Sequence, residues 1–350
     1  MKKLLAVMLS LAMLLALAGC GEDAHVQIDT PQDAGNGGNE TEAEYVIKVA
    51  STGNSKQPPS RSCEDFFEYV ESETNGRFQF ELHDSSTLGS DADILQQVID
   101  GTLQISGVGA TTFSMYTELL EVLSLPFLLN SYEKEYAALQ SDEYRAICDA
   151  VGEKLGIKIL FTSENGIRHF ATTSRPIHSM ADMAGLKLRV PTSVVLEETL
   201  KALGASPVSI NYNELYTSLQ NKIIDGEEVN YSTLAGQKHY EVAKYVTEVG
   251  LYCFSGIIIA NLDFWNSLSP EDQQILDAGS DLAMRNTFEK YVVELDESCR
   301  AECEANGMEI TTLTEEQLQE FKDATADIVD EYAAKDPLIA DFVEMARGLA

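Results

Sequence analysis

The chain has 350 residues, with 57 acidic against 24 basic side chains and a net charge of −33. So acidic a composition excludes nucleic acid as a partner, because that affinity rests on clustered Lys and Arg neutralising phosphates. A small anionic ligand stays admissible, since salt screens surface fields beyond about 8–10 Å.

In chain order, Lys2 and Lys3 precede an apolar run over residues 4–17 broken only by Ser10, and Ala18 and Gly19 lead into Cys20. About fourteen apolar residues fall short of the roughly 20 that span a bilayer, so residues 1–19 are expected to be a secretory signal. The Leu17-Ala18-Gly19-Cys20 ending resembles the lipobox of bacterial lipoproteins, which implies lipid attachment at Cys20 and, with several acyl chains, stable anchoring to a bilayer. Ordinary cleavage nearby is the alternative. Residues 20–44 are expected to form a flexible acidic tether, because residues 21–44 hold seven acids, no Lys or Arg and a Gly35-Asn36-Gly37-Gly38 run.

Roughly 300 residues remain, enough for a large core divided into two domains. Residues 45–50 read as a strand. Ser62 is placed to cap a helix carrying Phe66, Phe67 and Val70 and ending at Asn75-Gly76. Residues 78–83 alternate with period two, as a half-buried strand does. Leu88-Gly89-Ser90 turns into a helix over 91–100, stopped by Gly101, and 103–108 is a further strand. After Gly166 the same order restarts: a strand over 186–190, a helix ending near Leu203-Gly204, a strand over 207–210 and a helix over 212–224 stopped at Asp225-Gly226. The matching Ile99-Asp100-Gly101 and Ile224-Asp225-Gly226 suggest two similar α/β lobes. Ser269-Pro270 opens a long helical pattern to about Glu304, and residues 315–332 form another.

No G-x-S-x-G elbow, Gly-Lys dipeptide or Rossmann glycine fingerprint is present, and the five histidines form no cluster. An enzyme is therefore not expected. Cys63, Cys148, Cys253, Cys299 and Cys303 are an odd set without CxxC spacing, so free or partly paired structural thiols are expected, with no metal or cofactor.

Leu125-Pro126-Phe127-Leu128, Glu164-Asn165-Gly166-Ile167-Arg168, Gly185-Leu186-Lys187-Leu188-Arg189-Val190-Pro191, Glu214-Leu215-Tyr216 and Ile224-Asp225-Gly226-Glu227-Glu228 resemble, in order and spacing, the DctP family, the solute-binding subunits of TRAP transporters. The resemblance implies a two-lobed periplasmic-binding-protein-like α/β fold, with an interlobe ligand cleft and a long bracing helix. Its lobes would be residues 45–165 with 255–290, and 166–254 with 291–350. It further implies an extracytoplasmic protein that captures a small carboxylate and delivers it to the TRAP membrane subunits. A ligand-sensing receptor subunit of the same fold is the alternative. Arg189 matches the family's carboxylate-pairing arginine, a role its planar two-donor fork suits. Arg168 matches a second cleft arginine and Tyr212 an aromatic that flanks the ligand. Thr111 and Thr112 are expected to offer hydroxyls from the first lobe. Many members carry Gln-Glu-Asn or Glu-Trp after the Asp-Gly, whereas Val229 stands here where the Asn or Trp helps form the site. Asn230 is the candidate replacement, although a one-residue shift along a strand reverses the face.

Overall fold

The computed structural model describes residues 43–349. The expected signal segment, Cys20 and the tether up to residue 42 lie outside the described residues. The described residues form one compact unit. Among the described residues no helix is long and apolar enough to cross a membrane.

Among the described residues eleven strands form three sheets. Parallel β1 (Tyr45–Ala50) and β2 (Phe78–His83) make a pair. β3 (Ile105–Gly109) and β4 (Ile157–Ile167) flank β10 (Cys253–Asn261), both antiparallel to it. The six-stranded sheet runs in the order β11-β9-β5-β8-β6-β7. It holds β5 (His169–Thr172), β6 (Lys187–Val190), β7 (Ser206–Ser209), β8 (Gly226–Val229), β9 (Tyr245–Glu248) and β11 (Glu309–Thr312). The Ala50 amide donates to Ser106 Oγ at 3.1 Å, tying the two-stranded pair to β3.

The chain passes directly from β4 to β5 at Arg168, and it returns from β9 to β10 through residues 249–252. These two crossings are hydrogen-bonded to each other at one residue. The Arg168 amide donates to Tyr252 O at 2.8 Å, and the Leu251 amide donates to Arg168 O at 2.9 Å. A residue at such a crossing can move neither sheet without moving its own bonds.

The Ser269-Pro270 start opens a helix that runs unbroken from Pro270 to Ala305 through a π-helical turn at Thr287–Tyr291. Its first half packs on the helix Pro58–Glu73, where Gly279 lets Phe66, Tyr69 and Val70 approach closely. Ser62 Oγ and Thr287 Oγ1 meet at 2.5 Å within that contact. Its second half packs on the helix Tyr231–Gly236, which follows β8, so one helix braces both halves. The five thiols Cys63, Cys148, Cys253, Cys299 and Cys303 are all unpaired.

Three sequence expectations change. The first helix begins at Pro58, with proline in its first turn, so Ser62 lies inside it and does not cap it. The helix expected over 212–224 is only Leu215–Gln220, preceded by a single 3-10 turn. The shared Ile-Asp-Gly is also not one device. Gly101 turns the chain after a helix with φ +73°, whereas Gly226 opens the buried strand β8. A Cβ on Gly226 would sit 2.2 Å from Ala171 O of β5, so here glycine permits close strand approach. A further helix, Pro337–Gly348, packs on the helix Asp142–Leu155 with Tyr144 and Phe342 centroids 6.2 Å apart.

Gly226→Ala is expected to destabilise the fold by at least about 1–3 kcal/mol, read as a lower urea midpoint with an unchanged slope. An unchanged midpoint would contradict the tight β5–β8 approach.

Candidate functional site

β8 has the sequence Gly-Glu-Glu-Val and every residue in it is buried. Two carboxylates on a fully buried strand demand partners, because an unpaired buried charge is costly. Alternation sends them to opposite faces. Glu228 shares a face with Phe170, its cross-strand partner on β5, and there it meets Arg168. Glu228 Oε2 accepts from Arg168 Nε at 2.6 Å and Oε1 accepts from Nη2 at 2.9 Å, while its carbonyl accepts from Nη2 at 3.1 Å. Tyr252 Oη donates to the same Oε2 at 3.1 Å, and the guanidinium stacks 4.3 Å from the Phe254 ring. Burial pulls the Arg168 pKa down, but Glu228 more than offsets it and leaves the guanidinium held above its usual range. Both partners are almost wholly enclosed, at 3% and 0% exposure.

Glu227 faces the other way and is paired in register with Arg189 on β6. Its Oε1 meets His239 Nδ1 at 2.9 Å, and its Oε2 is buried without a hydrogen-bond partner. Arg189 therefore keeps its charge uncommitted. Among the described residues its one side-chain hydrogen bond is Nε to Ile210 O at 3.0 Å, and no carboxylate lies within 4.0 Å of its nitrogens. Burial lowers its pKa, the attraction of Glu228 offsets part of that, and Arg168 adds repulsion. The residue is 4% exposed. A guanidinium's two terminal nitrogens form a planar two-donor fork that matches the two oxygens of a carboxylate.

Arg189 and Arg168 open onto a cleft of about 840 Å³, counting its mouth, between the six-stranded sheet and the sheet of β3, β4 and β10. Tyr212, Thr111 and Thr112 line it, as does Val229. Thus Arg189, Arg168, Tyr212 and Thr111, read from four distant segments, come together. Asn230 does not line the cleft, which corrects its placement as a ligand contact. It is fully buried behind the wall, where Oδ1 accepts from Arg168 Nη1 at 3.1 Å and Nδ2 donates to Ser232 Oγ at 3.2 Å. The alternation that points Val229 into the cleft sends Asn230 to the face of Glu228.

Three wall residues were missed by the sequence reading. Gln57 spans the cleft, its Nε2 donating to Thr233 Oγ1 at 3.2 Å and Tyr212 Oη at 3.4 Å, so the two walls are joined. Asp91, the first residue of the helix Asp91–Ile99, accepts from Thr52 Oγ1 at 3.1 Å and from the Gly109 amide at 3.2 Å. Burial raises its pKa, while the Gly109 and Thr52 hydrogen bonds and the charge of Arg189 act in the opposite sense. Glu227 is the third. Asp91 and Glu227 were legible only as a helix start and as part of an Asp-Gly-Glu-Glu run.

Elsewhere, a larger groove of about 1830 Å³ lies beside the helix Asp142–Leu155, but its arginines Arg145 and Arg285 are exposed. Behind the strand crossing, Glu135, Glu164 and Cys253 bring two oxygens and a sulfur within 4.8 Å of one another. This is the set among the described residues that has metal-ligand spacing. One oxygen of each glutamate lacks a partner. Burial raises both carboxyl pKa values, with Glu135 raising Glu164 further. Asp296, on the helix Val292–Ala305 against Gly166, is pushed up to about 6 by burial.

The sequence profile for bacterial extracellular solute-binding proteins, family 7 (DctP), matches residues 49–336. The ectoine/5-hydroxyectoine-binding periplasmic protein of Ruegeria pomeroyi is 33% identical over 263 residues, 74% of this chain and 77% of that protein. The C4-dicarboxylate-binding periplasmic protein of Vibrio cholerae is 29% identical over 306 residues, 87% of this chain and 90% of that one. The structure of a TRAP periplasmic solute-binding protein from Anaerococcus prevotii with bound D-glucuronate superposes with a TM-score of 0.81 at 26% identity, covering 87% of this chain and 97% of that one.

Glu228→Ala is expected to cost about 3–5 kcal/mol, because it leaves Arg168 buried and unpaired, whereas Arg189→Ala should leave stability unchanged or slightly raised. Urea denaturation of the two variants reads the contrast, and equal losses would contradict it. Asp296→Asn tests the strand crossing. The raised carboxyl pKa means that the wild type holds its full contribution below the unfolded value of 3.8 and loses it as pH rises through about 6. The asparagine variant should therefore match wild type in unfolding free energy near pH 4 and exceed it above pH 6.5, by at most about 3 kcal/mol. A variant less stable than wild type at pH 7.5 would contradict the assignment.

Proposed function

The chain belongs to the DctP family of bacterial extracellular solute-binding proteins, the solute-binding subunits of TRAP transporters, and from that premise we propose that it captures a small carboxylate in the cleft at Arg189. This is a family of binding proteins, not enzymes. Its relatives are periplasmic, which puts this chain outside the cytoplasm. The observation that carries the proposal is the contrast between two buried arginines. Arg168 is saturated by Glu228, and Arg189 is left with its terminal nitrogens free. A carboxylate accepts both of those donors at once, and enclosure between two sheets makes the bonds stronger than they would be in water.

The lobes that close on the ligand are residues 45–165 with 255–290, and 166–254 with 291–350. Tyr212 and Thr111 contact the captured molecule, and Arg168 orients it from its fixed seat. The joined walls at Gln57 favour a closed form that opens for exchange, with ligand binding the closed state better. The loaded protein hands its ligand to the TRAP membrane subunits, tethered to the bilayer through lipidated Cys20. The lipobox-like sequence before Cys20 supports the tether, and the family supports the hand-over.

The test is thermal unfolding against a panel of mono- and dicarboxylates, sugar acids and neutral controls. A ligand at 100 times its dissociation constant should add about 2.7 kcal/mol, and Arg189→Ala should abolish the shift. A stabilising ligand that is neutral or cationic, or a carboxylate whose effect survives Arg189→Ala, would overturn the proposal.

A further inference from the structure

The cleft wall carries more negative charge than a carboxylate receptor needs. Arg168 is matched by Glu228, so Arg189 is the uncommitted cation facing the cavity among the described residues. Two carboxylates, Asp91 and Glu227, line the same cavity from opposite walls. Glu227 lies beside Arg189 in strand register and is fully enclosed, with Oε1 on His239 and Oε2 without any donor. Asp91 has two donors, Thr52 and Gly109, for a group with about four acceptor positions. Neither acid pairs with Arg189 within 4.0 Å.

We infer that the ligand carries a single carboxylate together with hydrogen-bond donors, one of them close to that carboxylate, and that Glu227 and Asp91 are the residues that read those donors. The inference rests on capture at Arg189. A carboxylate seated on Arg189 brings the neighbouring atoms of its molecule toward Glu227, whose orphan oxygen can only accept. A hydroxyl or a protonated nitrogen there supplies the missing donor. Farther across the cleft, Asp91 again asks for a donor. A second carboxylate would meet Asp91 or Glu227 with no free cation to neutralise it, and like charges at close range in an enclosed site repel strongly. The shared chemistry is therefore a monocarboxylate bearing donors, which sugar acids provide through hydroxyls and α-amino acids through an ammonium group.

Isothermal titration of the full chain would compare three sets of probes. These are aldonates and uronates, α-amino acids with neutral side chains, and simple dicarboxylates such as succinate. Wild type should bind a member of one of the first two sets at least about 100-fold tighter than any dicarboxylate. Glu227→Gln and Asp91→Asn should each weaken that ligand by about tenfold or more and narrow the gap to succinate, with melting temperatures reporting that both variants are folded. Tightest binding by a dicarboxylate that still depends on Arg189 would overturn this inference and leave the capture proposal standing. Unchanged discrimination in both variants would overturn it as well. Failure of every carboxylate to bind would overturn the capture proposal and this inference with it.

Discussion

At the point where β4 passes into β5 and β9 returns to β10, a guanidinium and a carboxylate are buried against each other. Arg168 lends its backbone to both crossings and its side chain to Glu228 of the central strand β8. Taking two charges out of water is expensive, and the cost is recovered only when geometry is good and the remaining donors and acceptors are filled. Here they are filled. Asn230, the Glu228 carbonyl, Tyr252 and the Phe254 ring complete the set. The pair is therefore less a source of stability than a specification of how the two sheets meet, because any other arrangement would strand one of the charges.

That specification shapes the electrostatics of the cleft. With Arg168 matched, the site is not a pool of two interchangeable arginines. One cation is held rigid and satisfied, and the other stands at the end of a short strand with a depressed pKa and open donors. The helix that follows β6, Val194–Ala202, is itself fixed by buried Glu121, whose carboxylate accepts from the Val195 amide at 2.8 Å and the Val194 amide at 3.2 Å. A carboxylate at a helix N-terminus complements the dipole there, so the chain just beyond the strand carrying Arg189 is held in place. A ligand that fills the cleft supplies what the closed protein lacks, which is how binding can favour closure.

Much of the fold was legible in the sequence because its signals are local. Ser90 before Asp91, Ser269-Pro270 and the alternation of 78–83 each describe their own element, and β2 and the helices at 91 and 270 start where those signals place them. Arg189, Arg168 and Tyr212 were read from motif spacing and Thr111 from its place after a strand end, and the fold gathers all four on one cleft. What was not legible depends on which strands become neighbours. Gly226 has the sequence appearance of a helix stop, and only the approach of Ala171 on β5 gives it its role. The strong apolar run of β10 passed unmarked because a strand buried on both faces shows no alternation. Nothing in the sequence marked Glu227 and Asp91 as cleft residues among 57 acids, because a buried acid such as Glu227 is distinguishable only after the sheet order is known.

The central claim is the division of labour between the two arginines, and the most direct measurement is a crystal structure of the chain with its carboxylate ligand bound. The account predicts the ligand carboxylate on the terminal nitrogens of Arg189, with Arg168 still bidentate on Glu228. A ligand carboxylate seated in place of Glu228 on Arg168, with Arg189 unoccupied, would contradict it.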